Sequence, residues 1–288
     1  MKNYSLSLFC EINNSFFTFS VGKNNEQSNC EIIFTHDVPI IGIQNNRIEN
    51  FEKVSTSVKE NIFFLEQKHE VTFKEVILIL ENSRPSFINL TGFKKLNGSQ
   101  VLRENITYII NNLKSYVDEI ELKKKIIHIF NSNFSLDNKK IENLPIGLFG
   151  DFYSHELSFV LIKNNDYKNL KNIFDKCNIK IKKILLNSFI KGAYLSDKNH
   201  LIETFFQLEI NENESKIFYF ENNSLKYEQN FKFGTNIIIK DIAKVTSIKI
   251  EIVKKIINQM NFKDEFSNDE LIEGEFFKDD VYRKIKKN

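Results

Sequence analysis

The alternation of apolar and polar positions begins with two short apolar runs, residues 4–12 and 16–21, parted by Asn13 and Asn14. Asparagine tolerates the backbone of tight turns, so the chain is predicted to open with a β-hairpin. Residues 31–35 read as a third strand, and 38–43 as an apolar stretch that ends in a turn at Asn45 and Asn46. Over residues 50–67, Val54, Val58, Ile62 and Leu65 recur at the spacing of one helical face, and 75–80 is an apolar run suited to a buried strand. Three strands, a helix and a strand belong to a mixed α/β fold rather than to a bundle or a sandwich.

From Ser99, a plausible helix cap, Val101, Ile106, Ile109, Ile110, Leu113 and Val117 predict a second amphipathic helix. Strands at 126–130 and 157–162 flank a loop holding Pro145, Gly147 and Gly150. With only three prolines and nine glycines in the chain, that concentration marks a shaped turn, and a small helix-plus-strands unit is expected at 83–160. A helix at 166–176, a strand at 181–186 and part of a helix at 190–195 follow. The opening pattern then returns: a hairpin of 204–210 and 215–221, a strand at 224–233 and a helix at 236–245. A hairpin-led unit that occurs twice predicts two related lobes.

Composition narrows the function classes. The 288 residues, 41% hydrophobic and 27% charged, can bury a sizeable core in one large or two ordinary domains. Forty Lys and Arg against 38 Asp and Glu leave a formal charge of +2, without the footprint of a nucleic-acid binder. Cys10, Cys30 and Cys177 are odd in number and form no Cys-x-x-Cys pair, and no signal peptide is read at the start, which fits a reducing cytoplasm. No run of 18 apolar residues predicts a membrane span, which leaves surface attachment by a helix or a partner. His36, His69, His128, His155 and His200 lack metal-ligand spacing, so zinc is not expected. His155-Glu156 reads as a charge pair on an edge strand, and Ser188 and Cys177 have no base or elbow motif beside them. Lys123, Lys124 and Lys125 read as a solvated end, as do Lys284, Lys286 and Lys287, which could also meet anionic lipid at about 1 kcal/mol per charge.

Four strings, residues 40–48 (IIGIQNNRI), 127–137 (IHIFNSNFSLD), 144–150 (LPIGLFG) and 233–243 (FGTNIIIKDIA), resemble, in that order, stretches of the FtsA family of bacterial actin-like cell-division proteins. Residues 40–48 (IIGIQNNRI) are similar to its Gly-Ile-x-x-Gly-x-Ile stretch, with Asn46 at the second glycine. Residues 127–137 (IHIFNSNFSLD) resemble a strand of its inserted subdomain, and 144–150 (LPIGLFG) its Pro-x-Gly-Met-x-Gly loop, the most specific of the four. Residues 233–243 (FGTNIIIKDIA) resemble the helix start after the second lobe's third strand. The resemblance covers about residues 5–258. It implies an actin-like (duplicated ribonuclease H-like) α/β fold with a small inserted strand-helix-strand-strand (SHS2-type) subdomain. The implied division is a first lobe (1A) of 1–82 and 162–197, an inserted subdomain (1C) of 83–161, and a second lobe of 198–288 (2A and the start of 2B, incomplete). The family's second lobe continues into a glycine-rich adenosine loop and a C-terminal amphipathic membrane helix, and neither is visible before Asn288.

In such proteins two hairpin turns hold the phosphates of ATP, because glycines let backbone N–H groups approach the anion while an Asp in each turn organises magnesium and water. The positions matching the first turn are Glu11, Asn13, Asn14 and Ser15; those matching the second are Glu209, Asn211 and Asn213, followed by Gly234. Both aspartates are glutamate here, and the turn glycines are gone. Glu209, Glu212 and Glu214 would set three carboxylates beside a triphosphate, a repulsion of several kcal/mol in a partly desolvated cleft. The expectation is therefore a degenerate nucleotide site, with no catalytic residue, no metal site and no hydrolysis; ATP with magnesium is the only cofactor candidate. The resemblance implies a scaffold linking FtsZ polymers, through the FtsZ C-terminal tail, to the cytoplasmic face of the inner membrane at the division site. It also implies self-association into polymers and contacts with other division proteins through the inserted subdomain. The alternatives are an active actin-like ATPase whose assembly depends on nucleotide, and a pilus-assembly scaffold of related fold.

Overall fold

A computed structural model describes residues 5–13, 15–25, 30–44, 47–81, 83–198 and 202–259. Asn14, Asn45, Asn46, His200 and the lysines at 284, 286 and 287 lie outside the described residues. β1 (Ser5–Ile12) and β2 (Phe16–Asn24) form the predicted opening hairpin, and β3 (Cys30–Pro39) extends it. β3 runs four residues past the expected 31–35 because its polar end is held by the ladder to β2 and by Thr18 Oγ1 donating to Asp37 at 2.6 Å. A short ribbon, β4 (Ile43–Gln44) with β5 (Arg47–Ile48), leads into α1 (Phe51–His69). The Asn50 side chain caps α1 by accepting from the Lys53 N–H at 3.0 Å. Val54, Val58, Ile62 and Leu65, the four predicted positions, are buried with Leu8, Cys10 and Leu78 in the main core.

β6 (Glu75–Leu80) pairs in parallel with β1. The inserted unit follows as β7 (Ser86–Lys95), α2 (Arg103–Ile120), β8 (Lys124–Leu136), β9 (Lys139–Ile141) and β10 (Phe152–Lys163). Its sheet runs in the order β7-β10-β8-β9, a strand-helix-strand-strand arrangement covered by α2 through Ile106, Ile109 and Val117. Gly92 of β7 allows the helix close, since a Cβ there would lie 2.5 Å from Ile109 Cγ2.

Two expectations need correction here. Ser99 does not cap α2: residues 99–101 are drawn into extended pairing with the following loop, Val101 N–H donating to Leu148 O at 2.9 Å, so the helix starts at Arg103. His155-Glu156 is not an edge-strand pair, because β10 is flanked by β7 and β8 and His155 is fully buried.

α3 (Asn164–Asp175), β11 (Lys180–Leu186) and α4 (Asn187–Lys198) complete the first half. Its five-stranded sheet has the order β11-β6-β1-β2-β3. β12 (Phe205–Ile210), β13 (Ser215–Glu221) and β14 (Ser224–Phe231) form a three-stranded sheet in sequence order, followed by α5 (Thr235–Thr246) and α6 (Ile250–Gln259). α5 and α6 share a small core of Ile242, Val253 and Ile256. The described residues fall into two compact units, one within Met1–Gln207 and Phe218–Glu228, the other within Leu208–Ile217 and Gln229–Asn288.

Candidate functional site

The first candidate turn joins β1 to β2. Asn13 closes it on itself: its side-chain oxygen accepts from the N–H groups of Ser15 at 2.8 Å and Phe16 at 2.7 Å, and its own N–H donates to Phe16 O at 3.2 Å. This is an Asx turn, and it turns inward the backbone donors that a phosphate would need. Glu11, at the end of β1, is half-buried, and its carboxylate accepts from Asn187 Nδ2, at the start of α4, at 2.7 Å. Its carboxyl is held above the ordinary range, first by burial and then by the Glu81 charge, with Asp37 adding to the effect and Asn187 and Lys191 opposing it.

The second candidate turn joins β12 to β13 and is closed by backbone. Asn211 N–H donates to Glu214 O at 2.9 Å. Asn211 O and Glu212 O accept from the N–H groups of Thr235, at 3.0 Å, and Asn236, at 2.9 Å. Those two donors form the N-terminus of α5, where an anion would otherwise be bound, and here loop carbonyls hold them. Gly234 is required by proximity: Asn211 O and the Glu212 carbonyl carbon stand where its Cβ would be. Asn213 takes part through its side-chain oxygen, which accepts from Asn236 Nδ2 at 2.9 Å. Glu212 also has Lys254 Nζ at 4.0 Å.

Apart from Asn14, the predicted positions thus fall at two internally bonded turns, with Glu11 and Glu209 each near the end of its strand. Sequence reading missed Asn187, Glu81 and Lys191 around Glu11, and Thr235 and Asn236 in the second turn. Asn187 is 176 residues from Glu11 in sequence, so no local signal could have joined them. Among the described residues no group of His, Cys, Asp and Glu is arranged to hold a metal ion. Nor is any helix among them long and apolar enough to cross a membrane.

No family model matches the chain. The cell division protein FtsA of Buchnera aphidicola subsp. Schizaphis graminum is 22% identical to it over 255 residues, 88% of this chain and 60% of that protein. The FtsA of Buchnera aphidicola subsp. Acyrthosiphon pisum is 21% identical over 242 residues, 84% of this chain and 57% of that protein. The chain therefore spans about 60% of the length of the curated relatives it matches. Among solved structures, a PilM-PilN type IV pilus biogenesis complex superposes with a TM-score of 0.52 at 9% identity, over 88% of this chain and 68% of that one. The architecture is the actin-like one, mixed α/β with an inserted strand-helix-strand-strand sheet. Three FtsA proteins matching most of its length at about 22% identity identify the chain as a divergent FtsA-like protein.

Proposed function

We propose that the protein is a cell-division scaffold whose nucleotide site is degenerate, rather than an ATPase. One observation carries this reading: the N–H groups of Asn13, Ser15 and Phe16 in the first turn, of Asn211 in the second, and of Thr235 and Asn236 at the N-terminus of α5 bond to the chain's own oxygens. A phosphate would have to displace those bonds and approach side chains of Glu and Asn where glycine gives access. Each intramolecular bond contributes only about 1 kcal/mol, but several would have to be given up together. In this reading Glu11, Asn13, Asn14, Ser15, Glu209, Asn211, Asn213 and Gly234 mark the place of a former phosphate site. The lobes are assigned as 1–82 with 162–197, the inserted subdomain as 83–161 and the second lobe as 198–288.

The scaffold role is supported by the relation to FtsA and by a stiff, exposed apolar loop on the inserted subdomain. Ile146, Leu148 and Phe149 are exposed, while the loop backbone is fixed by Gly147 N–H donating to Val101 O at 2.9 Å and Gly150 N–H to Ser99 O at 3.3 Å. Gly147 has φ +88°, a conformation that favours glycine. A fixed apolar surface suits protein contact, self-association or other division proteins. The protein would act at the cytoplasmic face of the membrane, binding the FtsZ C-terminal tail.

Fluorescence anisotropy of a labelled FtsZ C-terminal peptide from the same organism tests the role. Saturable binding at micromolar concentration without nucleotide supports it; no binding by a folded sample overturns it. Calorimetric titration with ATP and magnesium tests the site, and a stoichiometric complex would favour a nucleotide-dependent actin-like ATPase. The likeness to the PilM-PilN complex keeps a pilus-assembly scaffold as the second reading, and failure of the FtsZ peptide would move the assignment there.

A further inference from the structure

The β13–β14 hairpin makes an unusual set of polar contacts. Its two turn residues, Asn222 and Asn223, are both left-handed, at φ 49° and 59°, which points a compact tip away from the strands. That tip rests on a bulge in β8. Glu156 of β10 pairs with Asn133 and Leu157 with Asn131, so Ser132 is the extra residue. The bulge presents two carbonyls: Asn131 O accepts from Ser224 Oγ at 2.5 Å, and Ser132 O from Asn222 Nδ2 at 3.3 Å. Asn222 Nδ2 also donates to Asn133 Oδ1 at 2.6 Å.

Further along the hairpin, Lys226, only 6% exposed, bonds the Glu156 carboxylate and has Glu221 at 3.5 Å. Glu156 is itself oriented by Asn133 Nδ2 at 2.8 Å. Desolvation alone would raise the Glu156 carboxyl, but the hydrogen bonds from Lys226 and Asn133 and the Lys226 charge bring it below the ordinary value. At the far end Glu228 accepts from Ser188 Oγ on α4, both side chains buried. On β13, the Phe220 ring occupies the place where a Cβ on Gly192 of α4 would lie.

We propose that residues 218–228 are a built-in strap that binds the bulge of β8, Glu156 of β10 and the start of α4, and so holds the inserted sheet and α4 in one arrangement without a ligand. The contacts of the tip are polar, and polar groups released there are taken up by water. Tyr227, by contrast, meets the Phe87 ring of β7 with centroids 6.4 Å apart, and Phe218, Phe220 and Leu225 are buried in the main core with Phe130 and Val160, so the polar tip is the part that opens most readily. Lys226 is its keystone: parted from Glu156 it would retain Glu221, at 3.5 Å on its own hairpin, but lose its closer carboxylate while still buried, which resists opening of the joint at this point.

Hydrogen exchange read by mass spectrometry on the full chain, without nucleotide, tests this. Lys226→Met is expected to raise exchange at least tenfold at 221–226 and at 131–133, with β6 unchanged. Asn222→Ala with Ser224→Ala, which removes the tip contacts and leaves Lys226 in place, is expected to raise exchange in both segments as well. If Lys226→Met does not fold, this double variant decides. Exchange within twofold of the parent at 131–133 in the folded variants overturns the strap. So does a parent protein in which 221–226 is protected only after ATP and magnesium are added.

Discussion

β1 and β12 begin the two hairpin-led sheets, and matching positions on them have opposite environments. Leu8 and Cys10 of β1 are 1% and 0% exposed, whereas Phe206, Leu208 and Ile210, on one face of β12, are 70%, 52% and 56% exposed. β1 lies between β2 and β6 in its sheet and shares a core with four residues of α1. β12 stands at the end of a three-stranded order. The same alternating pattern makes a strand in both places, because alternation fixes which residues share a face and says nothing about what covers that face. The two candidate turns also differ, the first closed by an Asn side chain and the second by carbonyls at a helix N-terminus.

The largest expected effect tests the contrast in burial. Phe19→Ala, in the core of the five-stranded sheet, should lower stability by about 3–5 kcal/mol in urea unfolding, and Phe206→Ala by no more than about 0.5 kcal/mol. Equal losses would mean that the β12 face is covered in solution.

The inserted sheet adds a pH-dependent contrast. His155 is fully buried, and burial lowers its pKa from 6.5 to about 4. The unfolded chain then binds the proton first, so the contribution of His155 is fully present above pH 6.5 and declines as pH falls toward 4. The loss should be on the order of 2–3 kcal/mol. His128 is shifted in the same direction, by burial and then by the Lys183 charge, so the measurement is the difference between the parent and His155→Leu, whose stability should fall less over that window.

The turns give the smaller effects. Gly234→Ala should cost about 2 kcal/mol, because its Cβ would displace backbone rather than a yielding side chain. Asn13→Ala should cost about 1 kcal/mol by removing the acceptor for two N–H groups. If Asn13→Ala proved the more harmful, the side chain would be the stronger closure. Thermal or urea midpoints of the two variants decide the order.

Much of this architecture was legible in one dimension. β6 matches the predicted 75–80, and the four apolar positions of α1 are the ones that are buried. β7 was missed as a separate strand because most of its residues are only half-buried and one is Gly92, a poor strand former chosen for helix approach. α6 has no counterpart among the predicted elements although its apolar residues pack on α5, because it is a short helix of 10 residues that follows almost directly on the close of α5 at Thr246 and Ser247. Of the candidate site, the identities of the turn residues were readable; their bonding partners were not.

The sequence by itself determined the strand and helix periodicities, the recurrence of a hairpin-led unit and the absence of glycine and aspartate from both turns. Those are local properties, written in the spacing of side chains and the freedom of single residues. Tertiary structure alone decided that β10 is a central strand, that Glu11 meets Asn187 and that the β13–β14 hairpin rests on β8. Each of these joins groups far apart in the chain, and such contacts depend on how sheets order their strands and on which buried polar groups need a partner, neither of which leaves a local trace in the sequence.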